Sequence, residues 1–159
     1  MCSTVDRLSP DPDATRSAIL SAARRWIGTP YRHQGCRRGV GCDCLGLIAG
    51  IWGEVYGAIP AYDRTYSADW AESAGRGEPL LAACRARCAA MSLQTMRPGD
   101  LLVFRFTPLV AAKHLAILTG AQTMIHARER HAVCETALTA WWRRRIAGVF
   151  AFPPIDGNQ

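Results

Sequence analysis

Lysine is almost absent from this chain. Of 19 basic residues set against 13 acidic ones, only Lys113 is not an arginine, and the net charge is +6. Such a balance favours an acidic partner, which nucleic acid, a membrane surface or a carboxylate-rich polymer would each supply, and it does not choose among them. No apolar run approaches the roughly 20 residues a membrane span needs, so none is expected. The opening MCSTVDRLSPDPD has neither a basic start with an apolar stretch nor a small-residue cleavage site. Synthesis in the cytoplasm without a secretory signal is the expectation, and anything done outside would need another carrier. Repeats, low-complexity tracts and long linkers are also missing. At 159 residues the chain is therefore expected to form a single domain over residues 1–159, with its core at about 13–153. Seven cysteines are many, but the number is odd and the chain is long enough to bury a core without staples, which argues against a disulfide framework.

Helices come first along the chain. One is expected over about 13–27, with Asp11 and Pro12 at its start and Gly28-Thr29-Pro30 as its stop. After a loop rich in glycine and arginine, a second opens near Asp43 and runs to Tyr56. Gly46, Gly50 and Gly53 fall on one face of that helix, a stripe that costs roughly 1 kcal/mol per glycine and suits another backbone packed unusually close. Pro60 to about Gly77 reads as irregular, and Pro79 to Ala90 as a helix on which Cys84 and Cys88 share a face. Short β-rich segments follow: LLVFRF, HLAILT, TMIHAR, HAVCET and IAGVFAF. Helices and then strands without intervening helices predict an α+β fold with an antiparallel sheet of about five strands.

Within GCDCLGL, Cys44 sits at the first turn of a helix, facing unpaired N–H groups and the positive end of the dipole. Both favour thiolate, the nucleophilic form, and Asp43 can cap that helix. A thiol nucleophile needs a base, normally an imidazole, and often a third group to orient it. His114 and His126 stand on neighbouring predicted strands joined by the tight link GAQ, where both can point to one face.

GTPYRHQG, GCDCLGL at a helix start, RPGDLLVFR, KHLAIL and MIHA resemble, in that order, the NlpC-type cell-wall cysteine peptidases. The resemblance runs from about Trp26 to Phe152. It implies a papain-like fold with the nucleophile's helix packed on the sheet, and cleavage of peptidoglycan stem peptides, typically between D-glutamate and diaminopimelate. No metal or other cofactor is implied. Carried over by position, Cys44 is the nucleophile, His114 the base and His126 the residue orienting it. Tyr31 corresponds to a tyrosine that helps stabilise the oxyanion, and Asp43 to the aspartate preceding the nucleophile. Leu45 stands where a serine is common, Cys42 where a non-thiol is usual, and the Arg32–Arg38 loop is more basic than in relatives. These departures touch the exact bond, not the reaction type. The missing signal, the missing wall-binding module and the closing WWRRRIAGVFAFP are similar to the phage-tail and gene-transfer-agent branch. That likeness implies a tail or baseplate partner, residence in a virion-like particle, and action in the periplasm or cell wall.

Three rivals stand beside this reading. His33, Cys36, Cys42 and Cys44 could form a zinc module, although Cys42 and Cys44 are closer together than usual ligand pairs. Arginine and five tryptophans suggest nucleic-acid binding, but no fold-level signature for it is present, so no direct contact with nucleic acid is expected. A catalytically idle structural part of a tail is the third. In WWRRR, adjacent tryptophans cannot both face the core, so at least one is expected to be exposed as a docking patch beside Arg143, Arg144 and Arg145. The alternative puts both rings in a groove between sheet and loops.

Overall fold

The computed structural model describes residues 11–63 and 77–155. Helix α1 (Pro12–Trp26) begins where the Asp11 carboxylate accepts the Asp13 N–H at 2.8 Å, with proline at its start and Arg24 and Arg25 in the last turn. It buries Ile19, Ala22, Ala23 and Trp26. A small hairpin of β1 (Cys36–Arg37) and β2 (Gly41–Cys42) then leads into α2 (Cys44–Tyr56), which ends at Gly57 in the left-handed region, φ 83°. Two-residue strands carry no alternation to read, which is why the hairpin was not expected from sequence.

The glycine stripe on α2 has three different neighbours. A Cβ on Gly46 would lie 1.7 Å from the Gly35 carbonyl oxygen, so here the turn before β1 does pack backbone against helix. At Gly50 the obstacle is instead the Trp26 indole, 2.0 Å away, and at Gly53 the Ile59 side chain, 2.8 Å away. Only the first glycine admits another backbone. The second makes room for α1, whose Trp26 Nε1 donates to Glu54 on α2 at 3.0 Å.

Helix α3 (Pro79–Arg87) stops earlier than expected, because Cys88 is already extended and β3 (Ala89–Met91) pairs with the last strand. The rest of the sheet is β4 (Leu101–Phe104), β5 (His114–Gly120), β6 (Thr123–His126), β7 (Cys134–Ala137) and β8 (Ile146–Ala151), with a one-turn helix α4 (Ala140–Arg143) before β8. The order β3-β8-β4-β5-β6-β7 is antiparallel throughout, so among the described residues the sheet has six strands rather than about five. Most of the irregular stretch expected over 60–77 lies outside the described residues. The α+β, papain-like expectation is otherwise met: the longer helices precede the sheet, the one-turn α4 interrupts strands expected to run without a helix between them, and α2 packs on β5.

Strand alternation divides the core. Leu101, Val103, Leu115, Ile117 and Ile125 meet Ile19, Leu47 and Ile51 from the helices, while Leu102, Phe104, Ala116, Leu118 and Met124 form a second cluster on the other face, partly covered by Trp142. The turn before β4 is anchored by Asp100, fully buried, whose carboxylate accepts from Arg16 of α1 and from the Arg97 N–H, both at 2.8 Å. Packing α1 on α2, and α2 on β5, brings the start of α2 to the start of β5.

Candidate active site

Cys44 is the first residue of α2. Asp43 caps the helix with one carboxylate oxygen, which accepts the Gly46 N–H at 2.8 Å. The other oxygen accepts the Gln34 N–H at 2.7 Å and lies 3.7 Å from His33 Nδ1. One buried carboxylate thus ties the turn at 32–35, where Gln34 is held at φ 61°, to the helix that carries the thiol. The Cys44 Sγ lies 3.7 Å from the Lys113 carbonyl oxygen, one residue before His114. Thiol and imidazole line a common cavity of about 650 Å³.

The two histidines form one hydrogen-bonded chain. His114 Nε2 lies 2.9 Å from His126 Nδ1, and His126 Nε2 lies 3.2 Å from Thr136 Oγ1. If His114 is to accept a proton at Nδ1, its Nε2–H donates to His126, and His126 in turn donates to Thr136. The pair is boxed by rings: the Trp142 centroid is 5.5 Å from that of His114 and 5.3 Å from that of His126, and Phe104 and Phe106 are each 5.9 Å from His114. Burial, then His126 and Arg128, lowers His114 to about 3; burial, then Arg128 and His131, lowers His126 to about 4. Both are therefore neutral near pH 7.

The thiol does not behave as its helix position suggests. Burial first, and then the Asp43 carboxylate, push Cys44 up to about 12, against the downward pull of the Leu115, Leu45 and Cys44 backbone N–H groups. Helix start and thiolate are thus separated here, because desolvation outweighs a few N–H dipoles. Tyr31, also lining the cavity, is raised to about 12 by burial, then Asp43 and Cys44, and so remains a phenol able to donate.

All five residues expected from sequence therefore converge. The rival zinc ligands do not. Cys36 and Cys42 face each other across the hairpin, but Cys36 Sγ bonds the Gly46 carbonyl at 3.2 Å and Cys42 is wholly buried in the core, while Cys44 opens to the cavity. Among the described residues no three His, Cys, Asp or Glu side chains come together to hold a metal ion. Thr136, Phe106, Arg128 and Glu129 also belong to the site or its cavity wall, and no sequence signal marks them. Only strand register and the turn into α4 bring them there. The tryptophan pair divides as well: Trp141 is 43% exposed, as expected of at least one of the two, Trp142 is half-buried, and both line the cavity as the groove alternative has it.

Residues 28–151 match the NlpC/P60 family. This chain belongs to that family. Over 87% of its length it superposes on the NlpC/p60 domain of the peptidoglycan hydrolase SagA, covering 97% of that domain at 26% identity and a TM-score of 0.58. A gamma-DL-glutamyl hydrolase of Bacillus subtilis is 25% identical over 92% of this chain, which spans only 32% of that relative. RipD of Mycobacterium tuberculosis, a non-catalytic NlpC/p60 domain protein, shares the fold at 15% identity and a TM-score of 0.53, with 86% of this chain and 95% of that one covered.

Proposed function

We propose that the protein is a cysteine peptidase that hydrolyses stem-peptide amide bonds in peptidoglycan, of the D-glutamyl–diaminopimelate type. The observation that carries this reading is the His114–His126–Thr136 chain beginning one residue from the carbonyl that Cys44 Sγ touches. The likeness to the SagA domain, from a peptidoglycan hydrolase, supports peptidoglycan as the substrate class, and the likeness to the glutamyl hydrolase supports a glutamyl bond.

With both groups neutral at rest, the proton leaves Cys44 as sulfur attacks the substrate carbonyl, and His114 Nδ1 receives it. Charge on imidazolium and oxyanion appears together, in a site whose burial strengthens their attraction. His126 accepts the Nε2–H of His114 at Nδ1 and keeps its ring aimed, while the Thr136 hydroxyl accepts the proton that His126 then carries on Nε2. The Cys44 backbone N–H and the Tyr31 hydroxyl are the donors for the oxyanion. Collapse expels the amine, protonated by His114, and leaves a thioester. A water activated by the same imidazole then releases the acid and the thiol.

Delivery inside a phage-like tail, with a tail or baseplate protein as partner and action in the periplasm or wall, belongs to this proposal and rests on the sequence resemblance. Incubating the chain with purified peptidoglycan and identifying released fragments by mass spectrometry tests the activity. New amino termini at diaminopimelate are expected with the parent and not with Cys44→Ala. Wall binding without cleavage by the parent would show a non-catalytic role instead.

A further inference from the structure

Beyond the rings that box the histidines the cavity wall continues to Trp141, which the hydrolysis does not use. Trp141, on α4, is 43% exposed although it lines the cavity, and α4 buries none of its four residues. A ring that gains so little from burial is nevertheless held firmly. The Arg145 guanidinium stacks over it at 3.7 Å and donates to the Trp141 carbonyl at 2.9 Å, while Trp142 meets it edge-on at 4.9 Å. Its position is thus fixed before anything binds, with area left open toward the cavity.

We infer that Trp141 is a saccharide subsite, so that the substrate is a stem peptide still joined to its muramyl sugar. The inference rests on the peptidase reading above and narrows it. Alanine, glutamate and diaminopimelate carry no flat apolar group to lay on an indole, whereas a pyranose ring presents a face of C–H bonds. Reach agrees. The sugar lies about two residues from the D-glutamyl bond, on the order of 7 Å of extended chain. Trp141 is two ring steps from His114, 4.9 Å and 5.5 Å between centroids. The cavity, about 650 Å³, falls in the range that encloses a ligand of several hundred daltons rather than one side chain.

Two substrates test the assignment: one stem tripeptide offered free and the same tripeptide on N-acetylmuramic acid. The parent should favour the sugar-bearing form through KM. Trp141→Ala should reduce that preference, the ratio of the two kcat/KM values, about tenfold, and Trp141→Phe should keep most of it. No preference in the parent, or an equal change for both substrates in Trp141→Ala, overturns the subsite. Binding of muramyl dipeptide, compared with its sugar-free dipeptide by calorimetry, decides the matter without turnover. Should the parent cleave neither substrate, the peptidase reading falls. A selective loss of muramyl dipeptide affinity in Trp141→Ala would then still support the subsite, and equal affinities would overturn it.

Discussion

Mild acid should loosen this protein well before its carboxylates titrate. His114 and His126 are buried and neutral, with pKa values lowered to about 3 and about 4. In the unfolded chain both imidazoles return to near 6.5, so between those limits the unfolded state binds more protons than the folded one. The sign follows directly. The contribution of this pair to stability is complete above 6.5 and is lost as pH falls toward the folded values. At pH 5 each unfolded imidazole is about 1.5 units above the pH, and one unit corresponds to about 1.4 kcal/mol, so each histidine costs about 2 kcal/mol relative to neutral pH. Together they cost about 4 kcal/mol, a large part of the 5–15 kcal/mol typical of a domain. Guanidinium unfolding at pH 7.5 and pH 5 reads the difference. His126→Gln, which keeps a donor and an acceptor but does not titrate, should lose about half of it. A stability flat between those pH values, or a loss equal in parent and variant, would refute the neutral buried pair.

Cys44→Ala should abolish wall hydrolysis, while Cys42→Ala should keep most of it at a stability cost of about 1 kcal/mol, since Cys42 is wholly buried in the core and outside the cavity. Equal loss of activity from both would sink the assignment of the nucleophile. Gly46→Ala should lower stability by at least 2 kcal/mol and disturb the site with it, because its Cβ would lie 1.7 Å from a backbone oxygen that cannot turn aside; a neutral effect in thermal unfolding would contradict the close approach. Trp142→Ala, which unpacks both histidines, should lower kcat at least tenfold and move the acidic limb of the pH–rate profile upward as water reaches His114. An unchanged limb would mean that the ring only fills space.

What the sequence made legible was whatever local periodicity encodes. Asp11 and Pro12 marked α1, Asp43 marked the start of α2, and the tight link GAQ between two predicted strands put His114 and His126 within reach of one face. The family motifs then brought Cys44, His114, His126, Tyr31 and Asp43 together as a set. What stayed hidden depends on contacts between distant segments. Ala89–Met91 is a strand because β8 offers an edge, and its own alanines read as helix. Thr136 meets His126 only through the register of β6 and β7, and Trp142 only through the turn into α4. The thiolate expectation failed for a related reason: a helix terminus is visible in sequence, but the burial that outweighs it is not.

Asp43 shows how such a conflict is resolved. Its charge opposes a thiolate at Cys44 and a phenolate at Tyr31, and it adds to the burial that raises both. Judged as an activator of the nucleophile, it is a poor choice. Yet its two oxygens accept backbone N–H groups from Gly46 and Gln34 at 2.8 and 2.7 Å, and hydrogen bonds to a charged group contribute about 1.5–3 kcal/mol each. These two join the start of α2 to the turn at 32–35, which stands against Gly46 and leads back to Tyr31. Position is what the carboxylate supplies. Its electrostatic cost at the sulfur is removed during the reaction, when the proton passes to His114 and the negative charge moves from sulfur to the carbonyl oxygen. At Tyr31 the same effect is useful, since a phenol that resists ionisation still has a proton to donate when that charge arrives.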